Sequence, residues 1–120
     1  MTQSPDPHAF AAEWVDAWNA HDLDRILGHY SSDVVFTSPV AAAIVAGSNG
    51  EVRGLDALRA YWAEGLRRLP DLHFRLDAVL TTASGCTLLY RNERDQQVAE
   101  TMLFDGDGKV CRGIGAYGNR

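Results

Sequence analysis

Positive charge is scarce in this sequence: one lysine and ten arginines stand against 16 acidic residues, for a formal net charge of −5 at pH 7. A surface of that sign repels a phosphate backbone and an anionic bilayer, so no nucleic-acid partner and no membrane partner are expected. Long apolar runs are missing as well. The longest, Val40 to Ala46, has seven residues and is mostly alanine, against the roughly 20 that span a bilayer. The opening Met1-Thr-Gln-Ser-Pro-Asp-Pro7 has neither the basic nor the apolar stretch of a secretory leader, which reads as a cytoplasmic protein. Cysteine is limited to Cys86 and Cys111, too few and too far apart for a zinc site. Two free, partly buried thiols are expected instead.

With 120 residues, 46% of them apolar, the chain should form one unit whose core needs no staple or metal, with room for a small cavity. Ten arginines to one lysine, with abundant alanine, suit a GC-rich bacterial genome.

Residues 1–7 are polar, carry two prolines and read as a flexible arm before a single domain over 8–120. Asp6 is placed to cap a first helix with Pro7 at its first position, and Phe10, Trp14, Ala17 and Trp18 share one face as far as about Ala20. Asp22 is a second cap, before the stripe Leu23, Ile26, Leu27 and Tyr30 of a short second helix. Val34 to Thr37 reads as a brief strand stopped by Pro39. From Val40 to Gly54, three glycines and Ser48-Asn49-Gly50 indicate a flexible connection, with or without a small hairpin. A third helix places Leu55, Leu58, Trp62, Leu66 and Leu69 on its buried face, has Asp56 in its first turn, and ends at Pro70. The period then changes from 3.6 to 2. Runs over 72–81, 87–93, 97–104 and 109–117, separated by turn-rich segments, predict four meandering antiparallel strands. Helices followed by a meander indicate an α+β domain, its sheet curled over the helices.

The segment from Trp14 to Asp24 (WVDAWNAHDLD), Tyr30, the strand end Phe36-Thr-Ser-Pro39 and the helix start from Gly54 to Trp62 resemble the SnoaL-like branch of the NTF2-like superfamily. The resemblance spans nearly the whole chain. It implies an NTF2-like cone: three N-terminal helices packed in a strongly curved, mainly antiparallel β-sheet. It also implies a pocket at the wide end for a small apolar molecule, and a homodimer on the outer sheet face. Polyketide cyclases, ketosteroid isomerase, scytalone dehydratase and limonene epoxide hydrolase are relatives by fold, which does not choose among their chemistries. In ketosteroid isomerase a tyrosine, a base aspartate and an oxyanion aspartic acid do the work. Those positions fall at Trp14, Ser38 and about Met102 here. A serine without a nearby base takes no carbon-bound proton and a methionine donates to no oxyanion, so that activity is not expected. The acid sets of the hydrolase and the dehydratase are not evident either.

A polyketide cyclase of the SnoaL type needs one carboxylate in an apolar pocket, and strand alternation nominates it. Along 97–104, Val98, Glu100, Met102 and Phe104 share the more apolar face. If that face is the inner one, Glu100 is the acid/base; otherwise it meets solvent or pairs with Arg91 or Arg112. By the family register Cys111, Gly113, Gly115 and Tyr117 point inward, the glycines leaving room for a cavity. Tyr90 and Tyr117 could offer hydroxyls to a carbonyl, as could the Trp14 indole. Trp14, Phe36, Ser38, Trp62, Phe74 and Met102 are the expected substrate contacts. His8, His21 and His29 read as solvated, His73 as outward-facing, and no pair has metal-ligand spacing, so neither metal nor cofactor is called for. His73, Arg75, Asp77, Leu89, Arg91, Ala99, Thr101, Leu103, Val110, Arg112 and Ile114 make up the expected outer face. Its mixture of apolar and charged groups suits a symmetric dimer. The leading reading is a pocket protein with cofactor-free cyclase, isomerase or dehydratase chemistry; the other is a non-catalytic binding or dimerisation module on the same cone.

Overall fold

The structure, a computed structural model, describes residues 5–118. The first four residues of the expected arm lie outside the described residues. Asp6 accepts from the Ala9 N–H at 2.9 Å, and Pro7 opens α1 (Pro7–Asn19). Its stripe of Phe10, Ala11, Trp14, Ala17 and Trp18 is buried, as the spacing requires. Asp22 caps α2 (Leu23–Leu27) through the Arg25 N–H.

Tyr30 departs from the sequence expectation. Instead of continuing the second helix it begins β1 (Tyr30–Thr37), because the chain leaves α2 at Gly28 and is recruited by a distant strand: the Val110 N–H donates to the His29 carbonyl at 2.8 Å. The expected flexible connection is ordered as well. Ser38 accepts from the Val40 N–H and caps a short α3 (Pro39–Ile44). Pro39 occupies the first helical turn, where its fixed φ and missing donor cost nothing, and three alanines follow with high helix propensity. A tight turn with positive φ at Asn49 (54°) and Gly50 (86°) leads into β2 (Glu51–Arg53). The domain therefore has four helices rather than three among the described residues, the last being α4 (Leu55–Arg68).

The meander follows as β3 (Arg75–Thr81), β4 (Gly85–Arg91), β5 (Gln97–Phe104) and β6 (Val110–Tyr117). Among the described residues the sheet has six strands in the order β2-β1-β6-β5-β4-β3, antiparallel except where β1 runs parallel to β6. Gly85, expected in a turn, is the first residue of β4, where any Cβ would collide with the Met102 carbonyl. The α1 and α4 stripes pack into the concave side of the sheet, and aromatic rings supply much of the core. Trp14 stacks on Phe74 at 5.8 Å, and Trp62 meets Trp18, Tyr30 and Phe36 edge-on.

Two expectations about facing are corrected. Val110, assigned to the outer face, is fully buried, because a register shift between Leu103 and Phe104 turns the start of β6 inward. His29 is half-buried rather than solvated, edge-on to Phe10 at 5.2 Å and 3.6 Å from Glu13. His21 is tied to the Leu72 carbonyl at 2.9 Å, while His8 and His73 are exposed. Both cysteines are free thiols. Among the described residues no helix is long and apolar enough to cross a membrane.

Candidate active site

The alternation along β5 points Val98, Glu100 and Met102 to the inner side, and Glu100 retains 4% of its exposure there. Opposite Glu100 stand Gly115 on β6 and Leu88 on β4. A Cβ at Gly115 would lie 3.6 Å from Glu100 Oε1 and 3.6 Å from Ser38 Oγ, ordinary contact distances that put this glycine directly beside the carboxyl. Tyr90, diagonal to Glu100 across the β4–β5 pair, reaches over and donates its phenol to Oε1 at 3.1 Å. Neither Arg91 nor Arg112 pairs with it. Arg91 is engaged with Asp77 and Asp95, and Arg112 is exposed.

Burial pushes the Glu100 carboxyl up to about 7, the Tyr90 hydrogen bond pulling the other way. A carboxyl in that range carries both forms near neutral pH, which is what proton transfer requires. Four phenols surround it. Burial first, and the Glu100 charge second, raise Tyr30, Tyr90 and Tyr117 well above the ordinary tyrosine value. Burial also lifts Tyr61 to about 12, with the Ser38 hydroxyl opposing the rise at Tyr61 and at Tyr117. These phenols are hydrogen-bond donors throughout the physiological range.

Glu100 lies in the wall of a cavity of about 80 Å³. Its polar lining is Tyr61, Tyr90, Glu100 and Tyr117, and the rest of the wall includes Trp14, Trp18, Trp62 and Phe74, Val40 and Ile44 of α3, Gly65 of α4, and Leu69 and Leu72 beyond it. A second cavity of about 90 Å³ shares Leu69, Phe74, Tyr90 and Tyr117 and extends toward Asn92, Glu93 and Arg94.

Of the residues nominated from sequence, Glu100, Tyr90, Tyr117, Trp14, Trp62 and Phe74 meet at this cavity. Phe36 and Met102 are not in its wall. The Phe36 ring fills the space over Gly113, where a Cβ would stand 2.7 Å from its Cδ1. Met102 is buried beneath Tyr30, whose hydroxyl donates to its sulfur at 3.7 Å. Ser38 lies behind the cavity beside Gly115. The Trp14 indole N–H, considered above as a carbonyl donor, is committed to the Tyr30 hydroxyl at 2.9 Å. Cys111 is half-buried and donates to the Leu103 carbonyl at 3.5 Å. Trp18 and Tyr61 were missed as cavity residues. Tyr61 follows Leu58 by three on the same helix face as Trp62, a spacing that was available to find it. Among the described residues no group of three or more His, Cys, Asp and Glu is placed to hold a metal ion.

The family model for the SnoaL-like domain matches residues 11–117. A SnoaL-like protein of unknown function from Burkholderia thailandensis is 37% identical over 94% of this chain and 94% of its own, with a TM-score of 0.90. At lower identity the likeness is one of fold. An NTF2-like protein from Cytophaga hutchinsonii is 10% identical over 98% of this chain and 95% of its own, with a TM-score of 0.73. A Sinorhizobium meliloti protein provisionally named a polyketide cyclase is 12% identical over 90% and 94%, with a TM-score of 0.73. No functionally curated protein matches the sequence. With the matched region covering all but the two ends, the chain belongs to the SnoaL-like domain family.

Proposed function

We propose that this protein binds a compact apolar carbonyl compound and performs cofactor-free acid/base chemistry on it: cyclisation, isomerisation or dehydration. The observation that carries the reading is Glu100, a buried carboxyl held by Tyr90 at 3.1 Å in the wall of an aromatic cavity and raised to about 7. As carboxylate, Glu100 removes a proton from the carbon next to the carbonyl, and the C–H electron pair moves into the enolate. Tyr117 donates to the enolate oxygen while Tyr90 keeps Glu100 in place. The proton held on Glu100 then returns to a different carbon, or to a departing hydroxyl that leaves as water. An aldol closure uses the same enolate as the carbon nucleophile. The test is deuterium exchange at the α-carbon of small cyclic ketones in D2O, followed by NMR. Protein-dependent exchange that disappears in Glu100→Gln is expected; no acceleration across the panel, or equal acceleration by the variant, would overturn the assignment.

The small volume favours a second reading, a binding module without turnover. Trp14, Trp18 and Trp62 occupy much of the cone, and about 80 Å³ is well below the several hundred cubic ångströms common for ligand sites. In that case ligands bind and no proton moves.

We also propose that the working unit is a homodimer through the outer sheet face, in contact with cytoplasm rather than membrane. Leu80, Thr87, Thr101 and Ile114 are successive cross-strand partners over β3, β4, β5 and β6, and Leu80 and Ile114 are 51% and 38% exposed. A row of this kind is self-complementary about a two-fold axis. A monomer by light scattering at micromolar concentration would refute it.

A further inference from the structure

The Glu100 carboxyl is buried without a counter-ion. Its one hydrogen-bond partner among the described residues is the neutral phenol of Tyr90, and no described Lys, Arg or His makes a salt bridge to it. The cavity wall repeats the pattern, since it contains no Lys, Arg or His among its lining residues. An ionised carboxylate in such surroundings suffers a large desolvation penalty that a cation alongside it would relieve. The rest of the wall suits the same guest. Trp14, Trp18, Trp62, Phe74 and Tyr90 bring aromatic rings to one small space, and ring faces attract a weakly hydrated cation through their quadrupoles. Anionic guests are disfavoured by the same groups.

We infer that this cavity takes a compact organic ammonium ion, a tertiary or quaternary amine with short alkyl groups, with Glu100 as its counter-ion and the tryptophans as its aromatic walls. The inference rests on the assignment of this cavity as the ligand site and goes beyond the carbonyl chemistry proposed for it. The carboxyl's position near 7 adds a pH signature: its charged form grows from pH 6 to 8, and cation binding strengthens over that interval.

The test uses three probes of one shape: choline, its uncharged carbon isostere 3,3-dimethyl-1-butanol, and the anion 3,3-dimethylbutyrate. Binding is read by the fluorescence of the tryptophans, all three of which line the cavity, and by calorimetry, at pH 6 and pH 8. Choline is expected to bind at least tenfold more tightly than the alcohol at pH 8, with the anion weakest. In Glu100→Gln, which keeps the shape of the side chain, the preference for choline over the alcohol should shrink to within about threefold. Trp18→Phe, with a folded near-UV signature, should weaken choline more than the alcohol. Absence of choline binding, equal binding of the alcohol, or a choline preference that survives in Glu100→Gln would each overturn the inference. Ketone α-exchange without choline binding would leave the carbonyl reading standing and remove this one; choline binding without exchange would do the reverse.

Discussion

Asn19 and Phe74 are clasped by two hydrogen bonds across 55 residues of sequence: the Asn19 amide donates to the Phe74 carbonyl at 2.9 Å, and its oxygen accepts from the Phe74 N–H at 2.7 Å. The side chain thus stands in for a neighbouring strand just before β3 begins, and it ties the end of α1 to a residue that walls the cavity. Asn19→Ala leaves both backbone groups without that partner. A loss of about 1–3 kcal/mol in urea denaturation is expected, with Asn19→Asp recovering only part, since a carboxylate cannot donate to the carbonyl. A change within about 0.5 kcal/mol would show the clasp to be ornamental.

Glu100 makes the domain less stable as it ionises. Its carboxyl rises from an ordinary 4.5 to about 7 on folding, so between those values the folded state holds more protons than the unfolded state. Stability is therefore fully present below 4.5, falls as pH rises through the interval, and levels off above 7. Comparison of Glu100→Gln with the parent protein cancels the other groups. The variant should gain on the order of 3 kcal/mol relative to the parent between pH 4.5 and pH 8 in chemical denaturation. Parallel pH profiles would show that the carboxyl is not buried.

His29 slopes the opposite way. Burial holds its imidazole below the usual histidine value, against the attraction of Glu13 and with Lys109 and Arg25 repelling the cation. The stability it contributes is present above the unfolded value and is lost as pH falls through and below it. His29→Gln should flatten the acid limb of the stability profile, and an unchanged acid limb would remove the assignment.

Trp14 and Tyr30 meet in a buried hydrogen bond of 2.9 Å, with the Tyr30 hydroxyl passing on to Met102. Tyr30→Phe leaves the buried Trp14 N–H unpaired, Trp14→Phe leaves the Tyr30 hydroxyl with only the Met102 sulfur, and the double variant removes both polar groups. Each single change should cost about 2–4 kcal/mol with the lost volume included, and the double-mutant cycle should return a coupling of about 1 kcal/mol. Strict additivity would mean that the bond contributes nothing.

The two inward glycines of β6 should respond differently to the same methyl group. At Gly113 an added Cβ meets Phe36 at 2.7 Å, and that ring is itself held by Trp62 and Tyr61; at Gly115 the nearest atoms are 3.6 Å away. Gly113→Ala is expected to destabilise by about 1–3 kcal/mol through overpacking. Gly115→Ala should be close to neutral, because lower backbone entropy in the unfolded chain offsets what little it disturbs. Thermal melts of the two variants separate these outcomes.

Much of the fold was legible because its signals are local. Asp6-Pro7 and Asp22 are caps whose oxygens find N–H groups within one turn, and the alternation on β5 follows from the geometry of a strand without reference to any neighbour. That alternation was enough to put Glu100 on the apolar face. The segment from Val40 to Gly54 reads as a flexible connection because of its three glycines, although Ser38-Pro39 and three alanines carry the helix start that the structure uses. Tyr30 could not be read locally, since its partner in the sheet is Val110 on β6, 80 residues further on.

What the sequence determined by itself is a small acidic α+β chain of this family, with its helix starts, its alternating strands and a single carboxyl on an apolar strand face. What only the tertiary structure decided is which partners those residues meet. Glu100 is answered by Tyr90 rather than by an arginine, the Trp14 N–H is spent on Tyr30, and the space at Gly113 is filled by Phe36 while at Gly115 a methyl group would meet only ordinary contacts. The physical reason is range. Caps and alternation are fixed by atoms within a few residues, whereas desolvation, pKa and cavity shape are set by whatever side chains the curled sheet and the helices bring within a few ångströms.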